Sequence, residues 1–181
     1  MSFPPFNRAI ERRMHAIGVL LIPVALFVLL SLATHAETDY PNSSRSPDEV
    51  ANLGGRPGAL LSYGVTLVLG YGGFVLPLII GLLAWNRIQA RHSGIVLVQT
   101  GWLLALMTIG TATGSLIPIF PEYVRFRIGG ALGFYLGGEM AGLLGLSFSL
   151  ALGVFFFLAV LGFMLRWIAR DRTRRPDPAG S

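Results

Sequence analysis

The sequence is built around stretches that lack charged side chains for the width of a bilayer. From Ala16 to Thr34 it reads AIGVLLIPVALFVLLSLAT. A helix needs about 20 apolar residues to cross ~30 Å of hydrocarbon, and only a structure that satisfies its own backbone can do so. A second such stretch runs from about Ala59 to Trp85, a third from about Gly94 to Phe120, and a fourth ends near Trp167. The chain is therefore expected to be all-α, a polytopic membrane protein with four transmembrane helices. Composition excludes the soluble alternative: 13% of residues are charged, against about a quarter in an average soluble domain. The first stretch is longer than the ~7–15 residues of a cleavable signal core, and Thr34-His35-Ala36 is a poor small-x-small site, so a retained anchor is expected.

The 181 residues contain no Cys, which removes disulfides, thiolate nucleophiles and Cys-ligated metals. They contain no Lys either, so no P-loop lysine and no Schiff-base amine. The arginines set the orientation. Arg8, Arg12 and Arg13 precede the first span, Arg87 and Arg91 lie in the central loop, and Arg166, Arg170, Arg172, Arg174 and Arg175 follow the last. The opposite loops carry Arg45, Arg56, Arg125 and Arg127. Positive residues resist translocation, so the ten-arginine side is expected to be cytoplasmic, with both termini on that side. The layout is then a basic segment 1–15, a transmembrane domain 16–168 and an Arg-rich tail 169–181. Outer loops are expected at about 35–58 and 121–132, and an inner loop at about 86–93.

The two halves resemble each other at a shift of 75. NLGGRPGALLSYGVTLVLG from Asn52 overlays RIGGALGFYLGGEMAGLLG from Arg127, sharing GGxxGxxLxxx[VM]xxxLG over seventeen positions without a gap. Gly54, Gly55 and Gly58 fall on Gly129, Gly130 and Gly133, and Gly70 falls on Gly145. The same shift is expected to carry the first span onto the third. Each repeat would be an outward helix, a GGxxG turn and a longer returning helix. Both begin on the same side, so the hairpins are parallel-related. The paired glycines permit positive φ and close backbone approach, and are expected to form corners where the returning helices enter. Gly70, Gly73, Gly142 and Gly145 are expected as packing positions, either within the bundle or between subunits.

At these residues the chain resembles the N-terminal four-helix membrane domain of FtsK/SpoIIIE-type bacterial DNA translocases. A basic N-terminus leads to LLSLATHAETDYP, an apolar run followed by a short Tyr/Asp/Pro-bearing segment. NLGGRPGALLSYGVTLVLGYGGFVLPLIIGLLAW is similar to the family's Asn-x-Gly-Gly-x-x-Gly entrance, its LG-x-x-G step and its Pro, here Pro77. IGGALGFYLGGEMAGLLG is similar to the entrance of the family's fourth helix. The resemblance implies a non-catalytic anchor that assembles as a homo-oligomer, a hexamer in the family, at the division septum with other division proteins. It does not imply a motor in this chain, which lacks a Walker A lysine. The tail RDRTRRPDPAGS reads as the start of a linker.

Other readings compete. Glu139 is the ionisable residue inside the fourth apolar region, and an intramembrane carboxylate would suit a small transporter or channel; an interfacial carboxylate is the plainer reading. An accessory subunit of a larger membrane complex is a second alternative. His15, His35 and His92 lie on opposite sides and form no metal site, and no cofactor is called for. Ser62, Thr108, Thr111 and Thr113 are expected to bond helix carbonyls. The tail arginines suit topology and anionic headgroups of the lipid bilayer, not direct nucleic-acid binding, because no aromatic residues are interleaved.

Overall fold

The computed structural model describes residues 8–39, 41, 46, 49–89 and 93–173, with side chains from 12 to 168 within those ranges except 93–95. Arg91, Arg174 and Arg175 lie outside the described residues, and Arg8, Arg170 and Arg172 are described by backbone alone. Every element among the described residues is helical: α1 (Arg8–Ala33), α2 (Gly55–Leu69), a 3-10 turn (Gly70–Phe74), α3 (Val75–Ile88), α4 (Ser93–Ser115), α5 (Glu122–Leu144) and α6 (Leu146–Thr173). Four helical stretches are long and apolar enough to cross a membrane: Arg12–Ala33, Gly55–Ile88, Val96–Ser115 and Leu146–Ile168.

The Gly55–Ile88 stretch has 34 residues, which as one straight helix would run about 50 Å, far beyond ~30 Å of hydrocarbon. The chain resolves the excess by breaking at Gly70. Before the break, Gly54 and Gly58 both seat on Ser31, and Ser62 lies beside His35, beyond the end of α1. After it, Gly73 returns to Leu32. A helix running back along α1 would instead step toward its start with every turn. Thus α2 crosses the end of α1. The 3-10 turn and α3 then descend together, bringing Ala84 and Ile88 against Gly18. These 19 residues span about 30 Å, the thickness that has to be crossed.

The second repeat has the same course. Gly129, Gly133 and Gly137 of α5 all land on residues 111–116, the last turn of α4 and the residue after it, so α5 also crosses transversely. After Gly145, α6 descends antiparallel to α4, with Gly153 on Thr113, Phe157 on Gly110 and the Phe163 ring tilted against Trp102 with centroids 5.2 Å apart. At the other end Asn86 donates to Gln99 Oε1 at 3.0 Å, tying α3 to α4. The molecule therefore has a terminal end, holding the start of α1, the α3–α4 connection and the end of α6, and a distal end where α2 and α5 cross.

Three expectations need correction. The returning helices are not single long spans; each is a transverse piece, a glycine break and a descending leg. The segment 121–132, expected as a loop, is helical from Glu122, with Pro121 as the residue before it, and is interrupted only by a kink at Gly130. The shift of 75 does not hold for the outgoing helices. It would place Leu106 where Ser31 sits, yet Thr111 and Ser115 take the place of Ser31 beneath the glycines. The slack lies in the connections: 21 positions from Ala33 to Gly54, but 14 from Ser115 to Gly129.

Candidate functional site: the glycine-built crossing at the distal end

The distal crossing of the first repeat is held by hydrogen bonds. The Asp39 carboxylate accepts the N–H groups of Ala51 and Asn52, each at 3.0 Å. Asn52 in turn donates from Nδ2 to the Ser31 carbonyl at 2.8 Å and reaches the Thr34 carbonyl and Ser62 Oγ, while its Oδ1 accepts the Gly54 N–H at 2.9 Å. Ser31, Asp39, Asn52 and Ser62 are all buried, and each is satisfied, as buried polar groups must be. Ser62 Oγ lies 3.1 Å from both Ala59 O and His35 Nδ1, so its one hydroxyl hydrogen is set between a helix carbonyl and the imidazole. Burial lowers the His35 pKa below its usual value; Arg127 lowers it further, while Glu37 and Asp39 oppose the shift. The neutral ring is thus the form that fits.

The second crossing relies on close approach. A Cβ on Gly129 would lie 2.9 Å from Ser115 Cβ, one on Gly133 2.8 Å from the Thr111 carbonyl carbon, and one on Gly137 2.6 Å from Ser115 Oγ. Ser115 Oγ lies between the carbonyls of Ala112 (2.8 Å) and Gly133 (3.0 Å), which share its one hydroxyl hydrogen. This small-xxx-small face allows backbones to meet where larger side chains would hold them apart. Gly54, Gly58 and Ser62 form the matching face of α2.

Among the described residues, four glycines have positive φ: Gly55 (61°), Gly70 (56°), Gly130 (59°) and Gly145 (80°). They are two pairs at the shift of 75. Corner and packing roles are therefore redistributed: Gly55 and Gly130 are corners, but Gly54, Gly58, Gly129 and Gly133 act by close approach. Gly70 and Gly145, expected as packing positions, break the helices. Gly73 packs on Val65, and Gly142 meets nothing within 4 Å. Gly70 and Gly130 also touch each other. A Cβ on Gly70 would lie 2.5 Å from Gly130 N and 2.6 Å from Ile128 O, and one on Gly130 would overlap Gly70 N and sit 2.5 Å from Val68 O. The repeats are joined there, backbone to backbone.

Beside this joint Glu37 pairs with Arg127 at 3.1 Å, bridging the first connection to α5. Cavities of about 150 Å³ and 620 Å³ flank the pair, and Phe126 lines both. Glu139 is exposed on α5, a helix that is not one of the four candidate spans, which corrects its placement inside the fourth apolar stretch. Arg12, Arg13, Arg87 and Arg166 gather at the terminal end, with Arg87 Nη1 3.2 Å from Met14 Sδ. Thr108 and Thr111 bond the carbonyls of Leu104 and Met107. Sequence reasoning missed the Asp39–Asn52 clamp. Its one visible signal was the Asn two residues ahead of the glycine pair.

Comparison with known proteins gives this architecture a family. Residues 11–171 match the model described as the 4TM region of DNA translocase FtsK/SpoIIIE. The chain is 30% identical over 132 residues to a DNA translocase FtsK from Pseudomonas putida, which is 68% of this chain and 15% of that protein. It is 28% identical over 89 residues to a DNA translocase FtsK from Pseudomonas syringae pv. syringae, 48% of this chain and 11% of that protein. The chain thus spans a small fraction of these relatives' length. No solved structure matches. With four apolar helices and a match across nearly its whole described length, the chain is a multi-pass membrane protein that belongs to the family of FtsK/SpoIIIE 4TM regions.

Proposed function

We propose that this region anchors an FtsK-type translocase in the bacterial inner membrane and holds its copies together, with the DNA-moving motor and any DNA contact lying outside it. The family match over residues 11–171 carries this reading. The shallow burial of the helices supports a role as scaffold: large apolar side chains such as Leu20, Leu78 and Phe155 face outward, toward lipid or toward other copies. The terminal end, rich in arginine, faces the cytoplasm in this reading, which puts both termini where a motor would work. No residue is assigned to catalysis. Assembly as a hexamer at the division septum, in company with septal proteins, follows by family resemblance.

A fluorescently tagged chain should concentrate at midcell in dividing cells, and an even distribution around the membrane would overturn septal anchoring. A periplasm-dependent phosphatase fused after Ser181 should be silent. An active fusion would reverse the orientation.

A further inference from the structure

Within the chain, the second break of the first repeat (Gly70) meets the first break of the second repeat (Gly130). Each has a repeat mate that keeps the positive φ and lacks the partner. Gly145, the mate of Gly70, would meet nothing within 4 Å if it carried a Cβ. Gly55, the mate of Gly130, has only its own Pro57 Cδ at 3.9 Å. The flanking residues follow suit. The carbonyls of Ile128 and Val68 close the internal joint; their mates at the shift of 75 are Leu53 and Leu143, which are 73% and 82% exposed. Gly138 and Gly142, also on α5, are open too. One half of a joint is thus displayed at each end of the repeat pair, and each carries an apolar side chain that the chain itself leaves uncovered.

We infer that a second copy of this chain docks on these surfaces, the Gly145 break of one copy seated against the Gly55 turn of the next, so that the Gly70–Gly130 joint is repeated between chains. The occupant is specified by continuity with an existing interface: the surface that fits Gly145 and Leu143 is another Gly55 and Leu53. The two patches differ, so the contact is heterologous and head-to-tail, and it closes a ring where the rotation per copy allows. This specifies the surface of the oligomerisation proposed above and rests on that reading.

The chain has no cysteine, so introduced thiols report cleanly. Membranes containing Leu53→Cys/Leu143→Cys chains, treated with a short bis-maleimide, should yield a ladder of linked copies. Either single variant alone should stay monomeric on the gel, and a mixture of the two singles should stop at the linked pair. Gly142→Arg, at an open position beside the labelled residue, introduced into the Leu143→Cys chain, should cut its linked product with Leu53→Cys at least tenfold without lowering helicity or thermal midpoint. Self-linking of a single variant would indicate a symmetric contact and overturn the surface while leaving oligomerisation standing. So would an assembled chain in which the double variant does not link. A chain that scatters light as a monomer in mild detergent would overturn both the surface and the oligomerisation reading.

Discussion

The two repeats build the same distal crossing by different chemistry. In the first, a 21-position connection has to be brought back over α1, and a buried network of Asp39, Asn52, Ser31 and Ser62 holds it there. In the second, the connection is 14 positions and α5 is already helical from Glu122, so no clamp is needed and three glycines lie directly on Thr111 and Ser115. Asn52 and Arg127 occupy the same place in the repeat. One is buried, with four polar contacts from its side chain; the other is half exposed and pairs with Glu37. Geometry is conserved within the molecule where the chemistry is not: the crossing matters, and each half reaches it with the loop length it has.

The comparison can be broken most severely at the internal joint. Gly130→Ala combines an ε-region backbone (φ 59°, ψ −172°) with overlap against Gly70 and Val68, and should destabilise the chain by about 3 kcal/mol or more in thermal unfolding in nanodiscs. In nanodiscs holding a single copy, Gly145→Ala meets only the backbone strain, about 1–2 kcal/mol, because nothing within the chain opposes its side chain. Equal losses would mean that the joint contributes nothing beyond its φ values. Next come the positions related by the shift. Asn52→Ala strips partners from buried backbone groups and should cost about 2 kcal/mol, whereas Arg127→Ala should cost under about 1 kcal/mol, as an exposed ion pair does.

The smallest expected effect is pH-dependent and confined to the first repeat. Because the folded chain holds the His35 pKa below the unfolded value of 6.5, the unfolded state binds more protons as pH falls through 6.5 toward the lowered value. Stability contributed by His35 is full above 6.5 and lost across that window. The thermal midpoint should therefore drop further between pH 7.5 and 5.5 in the wild type than in His35→Gln. An identical drop in both would remove His35 from the clamp.

Much of the scaffold was legible because it follows from bilayer physics. Charge-free stretches of the right length gave four helices, and the aligned GGxxG and LG steps gave two parallel-related hairpins. The breaks at Gly70 and Gly145 were not legible. A glycine needed for close packing and one needed for positive φ are the same letter, and an unbroken apolar run reads as a single span. The clamp was hidden for another reason: Asp39 and Asn52 are thirteen positions apart in a connection whose composition resembles any solvated loop. Glu139 was placed inside the fourth apolar stretch, with an interfacial position as its plainer reading; α5 lies across the distal end, so sequence position does not translate into depth there.

That last point is the central claim, and depth measurements test it directly. Spin labels placed singly at Leu60 and Leu67 on α2, and at their repeat mates Tyr135 and Gly142 on α5, can be read against oxygen and nickel accessibility in vesicles. Two transverse helices predict closely similar depths within each pair, near the distal headgroups. A step of about 10 Å between Leu60 and Leu67, as in a straight span descending from Gly55, would contradict it.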